Sequence, residues 1–270
     1  TERYEFDTVQ GNNSQIDDLL RRIARGYIQY DVLWNLRNRF TFGTEYHIDD
    51  IGGARYPDKP FFSTFSGFMQ WEGNPVDWIS YSLSSRYVKN SAFENPNISD
   101  SILLHLLWLT NPKFAINVKI GDDIRIRASI GTGFKVPDFR QLYVEFTNNL
   151  NQAGYQLIGA RRIGNNLRPE RSVSYETGIS WDRNYLNFLD NTILTFGFDM
   201  QYFRNDLTDL IDFVQVGNAG DQAVYSYRNI KRARTQGIES NIKSGLLFSH
   251  NQSITFSAGY QYLIADDLDI

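Results

Sequence analysis

The 270-residue chain carries 27 Lys and Arg against 31 Asp and Glu, a formal net charge of −4 and a pI near 5.4; with no basic stripe, this balance excludes a nucleic-acid partner. Cysteine is absent, which excludes disulfides and thiolate metal sites. Aromatic residues reach 15 %, with 16 Tyr, 19 Phe and 5 Trp, while a mean hydropathy of −0.41 argues against a bundle of membrane helices.

The chain opens on Thr1-Glu2-Arg3-Tyr4, with neither Met nor a signal-like segment, and stops at Asp269-Ile270 directly after a strand pattern. It therefore reads as one part, residues 1–270, of a larger domain. No stretch reaches the roughly 18 apolar residues of a membrane helix. The longest apolar run, residues 102–109, is broken by His105 and reads as a loop helix or a buried strand.

Period-two alternation dominates the rest. Ten strands are predicted, at roughly 21–33, 36–48, 62–72, 76–89, 113–120, 124–133, 171–182, 191–206, 224–247 and 252–265. In the strand from 124, Ile124, Ile126, Ala128 and Ile130 face one way and Arg125, Arg127 and Ser129 the other. In the last strand Ile254, Phe256, Ala258, Tyr260 and Tyr262 oppose Ser253, Thr255, Ser257, Gly259 and Gln261.

Link lengths also alternate. Short turns fall near 35, 73–75, 121–123, 182–190 and 249–251, and long loops near 49–61, 90–112, 134–170 and 207–223. Outer-membrane barrels show this parity, with short periplasmic turns and long external loops. The predicted class is all-β: an antiparallel transmembrane β-barrel, here about ten strands of a roughly 22-stranded parent. A soluble carbohydrate-binding β-sandwich would share the alternation and the aromatic content, but not the parity.

Several boxes carry a family resemblance. The segment Gly131-Thr132-Gly133-Phe134-Lys135-Val136-Pro137-Asp138-Phe139 resembles the strand-to-loop segment of TonB-dependent receptor barrels. Asn166-Leu167-Arg168-Pro169-Glu170 resembles the family's N-x-L-x-P-E box, continued by Ser172, Tyr175, Glu176 and Gly178. Tyr227-Arg228-Asn229 with Ala233 to Gly237-Ile238-Glu239 resembles its Y-x-N … G-I-E strand, and Gln70-Trp71-Glu72 with Ser85-Arg86-Tyr87 also fits. The wording of residues 133–143 is similar to receptors of the Bacteroidetes.

The resemblance implies an outer-membrane receptor that binds a ferric siderophore or cobalamin. It would import that cargo with energy from the TonB–ExbB–ExbD complex, acting through a plug expected upstream. The implied partners are the cargo, the outer membrane and its lipopolysaccharide; a SusC-like glycan importer is the alternative. No resident cofactor or metal is expected, and no Ser/His or Asp/His set points to an enzyme. The motif residues Gly133, Phe134, Pro137, Asn166, Leu167, Pro169, Glu170, Gly237 and Glu239 are expected to fix strand and loop geometry; without the family, Pro137 ends a strand, Pro169 sets the re-entry with Glu170 at the rim, and Gly178, Gly237 and Gly245 mark bends or close approaches.

For cargo contact, the external loop 134–170 offers Lys135, Arg140, Arg161 and Arg162 with Tyr143, Phe146 and Tyr155. Cations beside rings suit an anionic, ring-bearing chelate. No His lies between Phe134 and Pro169, which weighs against haem; only His47, His105 and His250 exist. Asp49-Asp50 and Asp266-Asp267 with Asp269 are candidate calcium carboxylates at strand ends. Lys119, Arg125, Arg127 and Arg234 are expected to face the lumen.

Overall fold

The computed structural model describes residues 2–8, 15–92, 110–148, 154–185, 193–248 and 252–269; side chains are described from Leu19 onward. The predicted apolar run with His105 and the turn with His250 lie outside them. No helix among the described residues is long and apolar enough to cross a membrane.

The strands are β1 (Glu2–Thr8), β2 (Gln15–Asn35), β3 (Asn38–Gly53), β4 (Phe61–Val76), β5 (Ile79–Asn90), β6 (Lys113–Ile120), β7 (Ile124–Lys135), β8 (Glu145–Asn148), β9 (Tyr155–Ile158), β10 (Glu170–Tyr185), β11 (Ile193–Ala219), β12 (Gln222–Phe248) and β13 (Gln252–Asp267). They form one 13-stranded sheet. All except β8 and β9 follow an antiparallel meander in chain order, each strand beside the next. A single continuous sheet is not a sandwich, which needs two.

All ten predicted strands are present. Three more were missed: β1 at the start, and the hairpin β8–β9 inside the long loop. The predicted loop 207–223 is corrected, because β11 and β12 continue through it and close on Gly220, at φ 61°, and Asp221. Phe213 stacks on Tyr225 at 4.6 Å and holds this projecting arm together.

Register sorts the two faces. On one, Glu45 lies opposite Ser66, Lys119 opposite Arg125, Asn117 opposite Arg127, and Gln201 opposite Glu239. On the other lie Phe40, Phe42 and Tyr46 of β3, Trp71, Met69 and Phe65 of β4, and Phe196, Phe198 and Met200 of β11. Leu33 of β2 and Gln201 of β11 nevertheless line one cavity of about 690 Å³. In a flat sheet they would stand several 4.8 Å strand spacings apart. The sheet therefore curls with its polar face inward.

The outward face is marked at both ends by rings. Trp34, Phe40, Trp71 and Tyr81 form a ladder near the short turns, with centroids 6.4, 5.6 and 5.1 Å apart in succession. Six residues further along each strand a second ring recurs: Tyr46 after Phe40, Phe65 before Trp71, Tyr87 after Tyr81, Tyr175 before Trp181, Tyr202 after Phe196, Tyr262 after Phe256. That separation is about 20 Å of strand. It is of the order of the apolar band, about 25 Å tall, that aromatic girdles bound in membrane barrels.

Arg234 is a correction. It lies opposite Asp206, shares the outward face with Ile238 and Ile242, and pairs with that carboxylate at 2.6 Å. Its neighbours Thr235 and Gly237 are the ones that face inward.

Candidate functional site

The buried core lies at the long-loop end, on the polar face. Ile51, Tyr56, Phe62, Ala92, Phe139, Leu142, Val144, Leu157, Ala160, Leu167 and Tyr227 form it. Most of these residues belong to the loop predicted at 134–170, which is folded into a lid.

The lid starts where Pro137 stops β7 and Asp138 caps a short helix, α1 (Phe139–Tyr143). Asp138 accepts from the Gln141 amide at 2.8 Å, and Gln141 Oε1 accepts from the Asp138 amide at 2.9 Å. This reciprocal box satisfies two amides that the helix leaves open. α1 drives Phe139 onto Phe62 of β4, with rings stacked at 4.0 Å, and Leu142 is 1 % exposed. On the other side β9 pairs in parallel with Ala223–Tyr225 of the β12 arm. The lid thus spans the mouth from β3 and β4 to β12.

Five of the six residues expected to contact cargo serve the lid itself. Lys135 pairs with Glu170 at 3.3 Å. Tyr143 accepts from Arg161, whose other Nη donates to the Ala92 carbonyl at 2.8 Å. Arg162 bridges Asp58 and Glu145. Tyr155 packs edge-on against Phe146 at 6.3 Å and Tyr225 at 5.9 Å. Arg140 differs: it is exposed on α1 and hydrogen-bonds the buried Tyr227 phenol. Arg55, from the facing loop, lies 4.1 Å over the Phe146 ring.

Burial pushes the Tyr56 and Tyr227 phenols up from their ordinary value, and both lie outside the spanning band. The nearby Asp138 carboxylate pushes the same way, and Arg140 opposes it.

The sequence boxes do geometric work. Asp209, at φ 56°, sits where the β11 register shifts, between Leu207 and Ile211. Glu170 Oε1 accepts from the Ile211 amide at 3.0 Å. Asn229 bridges the Arg168 and Asp209 carbonyls at 2.8 and 2.7 Å and accepts from the Arg168 amide at 2.7 Å. Asn165 donates to the Tyr227 carbonyl at 3.1 Å, while Leu167 and Pro169 are buried and Asn166 is exposed. Sequence reasoning missed Asn229 and Asp209 as partners, since nothing local links residues 20 and 61 positions apart.

Below the lid, a polar ladder crosses the inner wall. Arg127 holds Asp199 with two bonds of 2.7 and 2.8 Å and Gln201 at 3.1 Å. Glu239 accepts from Gln201 at 3.1 Å and from Gln261 at 2.8 Å. Arg127 must pass over β10 to do this, and it passes at Gly178, where a Cβ would stand 3.1 Å from the guanidinium. Gly237 leaves room for the Phe203 ring, which a Cβ would meet at 2.9 Å. Nearer the mouth, Glu45 binds Arg25 and Arg86, both at 2.7 Å.

The acidic strand ends are partnered by arginine: Asp49 by Arg21, Asp50 by Arg22 and Asp269 by Arg232. Among the described residues no group of three or more His, Cys, Asp or Glu is placed to hold a metal.

Residues 1–269 match the family model described as TonB dependent receptor-like, beta-barrel. The vitamin B12 transporter BtuB of Vibrio vulnificus is 28 % identical over 166 residues, 62 % of this chain and 22 % of that protein. The ferrienterobactin receptor of Escherichia coli is 25 % identical over 193 residues, covering 63 % and 24 %. The crystal structure of the siderophore receptor PirA from Pseudomonas aeruginosa superposes with a TM-score of 0.73 at 18 % identity, covering 94 % of this chain and 45 % of that one. The chain thus spans under a quarter of the curated relatives it matches and under half of the solved one.

Proposed function

Because this chain belongs to the TonB-dependent receptor β-barrel family, we propose that it walls an outer-membrane receptor that imports a scarce nutrient with energy from the TonB–ExbB–ExbD complex. The cargo proposed is a ferric siderophore or cobalamin, as the names of two relatives suggest. The observation that carries this is the lid. A wall that is apolar outside and polar inside, with its outer mouth roofed from β3 and β4 to β12, suits a gated passage for one bulky solute. A simple pore needs no such roof. The family is one of receptors, and no catalysis is proposed.

Arg140 is the first choice for cargo contact, since it is exposed on α1 beside the Tyr56 and Tyr227 phenols. Lys135, Tyr143, Tyr155, Arg161 and Arg162 then act mainly by holding the surface that Arg140 presents. Lys135, whose side chain is 63 % exposed although its ammonium pairs with Glu170, is the second candidate.

Quantitative proteomics of outer-membrane fractions tests the cargo class. Cells would be grown replete, iron-starved and cobalamin-starved. A rise under iron starvation alone supports an iron chelate, and a rise without cobalamin alone supports a corrinoid. Absence from the outer membrane defeats the proposal.

A further inference from the structure

At the short-turn rim of the wall, far from the lid, two hairpin turns meet: Leu36-Arg37 between β2 and β3, and Asp77-Trp78 between β4 and β5. Arg37 fastens one to the other. Its guanidinium pairs with Asp77 at 3.0 Å and donates to the Asn74 and Pro75 carbonyls at 3.3 and 3.4 Å. Its own carbonyl accepts from the Asn74 amide at 2.8 Å. The two turns therefore hold their shape without a ligand. Between them and the feet of β5 and β6 lies a cavity of about 470 Å³, lined by Leu36, Asn74, Trp78, Ser80, Asn117 and Lys119.

The cavity opens on the inward side, because Ser80 lies opposite Asn117, Asn117 opposite Arg127 and Lys119 opposite Arg125. Its apolar part is bare: Leu36 is fully exposed and Trp78 is 54 % exposed. Trp34, Trp71 and Trp181 pack against rings of the outward face, whereas Trp78 has no ring partner among the described residues. Its polar part is equally unused. Among the described residues the Asn74 side-chain amide, the Trp78 indole N–H and the Lys119 ammonium have no partner, and Asn117 donates to Ser80 at 3.3 Å while its oxygen is left to accept. Arg37 and Asp77 neutralise each other, so Lys119 leaves the lining singly cationic. Beside it Arg125 is taken by Asp182, Asp123 is taken by Arg183, and Asp122 lies outside the lining.

This equipment suits a sugar. A bare indole offers a flat apolar face to the C–H face of a pyranose, and side-chain amides match ring hydroxyls and acetamido groups. An extended peptide would look for an open sheet edge, which closed hairpins do not offer, and lipid meets the other face. Short turns are the periplasmic end of an outer-membrane barrel. The polymer of matching chemistry on that side is the wall glycan, a chain of N-acetylated amino sugars with acidic peptide stems. We propose that this rim cavity docks a strand of the wall glycan, with a sugar ring on Trp78 and Leu36, acetamido groups on Asn74 and Asn117, and a stem carboxylate beside Lys119. The site rests on the outer-membrane reading above, which puts the short turns in the periplasm.

The test sediments purified cell-wall sacculi with the full-length receptor in detergent. The expected result is co-sedimentation that a soluble N-acetylglucosamine tetramer competes away and a free stem peptide does not. Leu36→Ser with Trp78→Ala should weaken retention about tenfold, as for losing an aromatic anchor. Lys119→Gln should weaken it about threefold at low salt and leave it unchanged at high salt, where a single exposed charge is screened. No sedimentation of the wild type would overturn the site, and is the outcome if the rest of the receptor fills the cavity. Equal sedimentation of wild type and double variant would overturn it too, as would competition by the stem peptide in place of the sugar. Heat-modifiable migration of each variant shows that its barrel is folded. Outer-membrane fractionation tests the membrane reading separately, so a receptor found there that ignores sacculi counts against the site alone.

Discussion

Glycines and carboxylates explain more of the boxes than cargo does. Gly178 leaves room for the Arg127 guanidinium, which crosses one strand to reach Asp199, and for the Met200 carbonyl. Gly178→Val is expected to displace that guanidinium and lower barrel stability by about 1–3 kcal/mol, the usual cost of overpacking. The onset of heat denaturation on a semi-native gel would report it. Adding Arg127→Ala to the valine variant should cost less than the sum of the two changes, because both break one contact. Glu170 behaves similarly: Glu170→Ala removes the carboxylate that accepts from the Ile211 amide at the bulge, with an expected cost of about 1–3 kcal/mol. Faster hydrogen exchange at Ile211, with neighbouring ladder amides unchanged, is the signature. Gly237 and Glu170 were legible as geometric residues from the sequence; their partners Phe203 and Ile211 were not, because register decides them.

At the scale of elements, alternation made the ten long strands legible, since only one face of each meets an apolar solvent. The misses have local causes. The arm at residues 207–223 is dense in Asp, Asn and Gly, which read as loop, yet the Phe213–Tyr225 stack and the bulge clamp keep it paired. β8 and β9 are four residues each, too short to show a period. The lid they belong to should come loose on its own. Leu142→Ala, at a side chain 1 % exposed, is expected to cost about 2–5 kcal/mol of lid packing. Limited proteolysis should then cut within residues 136–169 while the barrel stays heat-modifiable.

The lid should also respond to alkali. Tyr56 and Tyr227 are raised by burial, so their neutral forms are favoured in the folded state. That stability is present below the ordinary phenol value near 10 and is lost as pH rises through the raised values. Phenolate absorbance should show these tyrosines titrating late, and Tyr227→Phe should remove one of them.

For the whole molecule, everything depends on which face of the sheet meets lipid. Six-residue ring spacing, the inner ladder through Arg127 and the folded mouth all assign the same face, though they arise from different residues. The most direct test places single cysteines along β11 of the full receptor in vesicles. This chain has no cysteine of its own, so it adds no background label. Spin labels at Leu194, Phe196, Phe198, Met200 and Tyr202 should be accessible to oxygen in the bilayer. Labels at Thr195, Gly197, Asp199, Gln201 and Phe203 should be shielded from lipid. A clean two-residue alternation in that phase is the predicted result; the opposite phase, or none, would contradict a membrane wall.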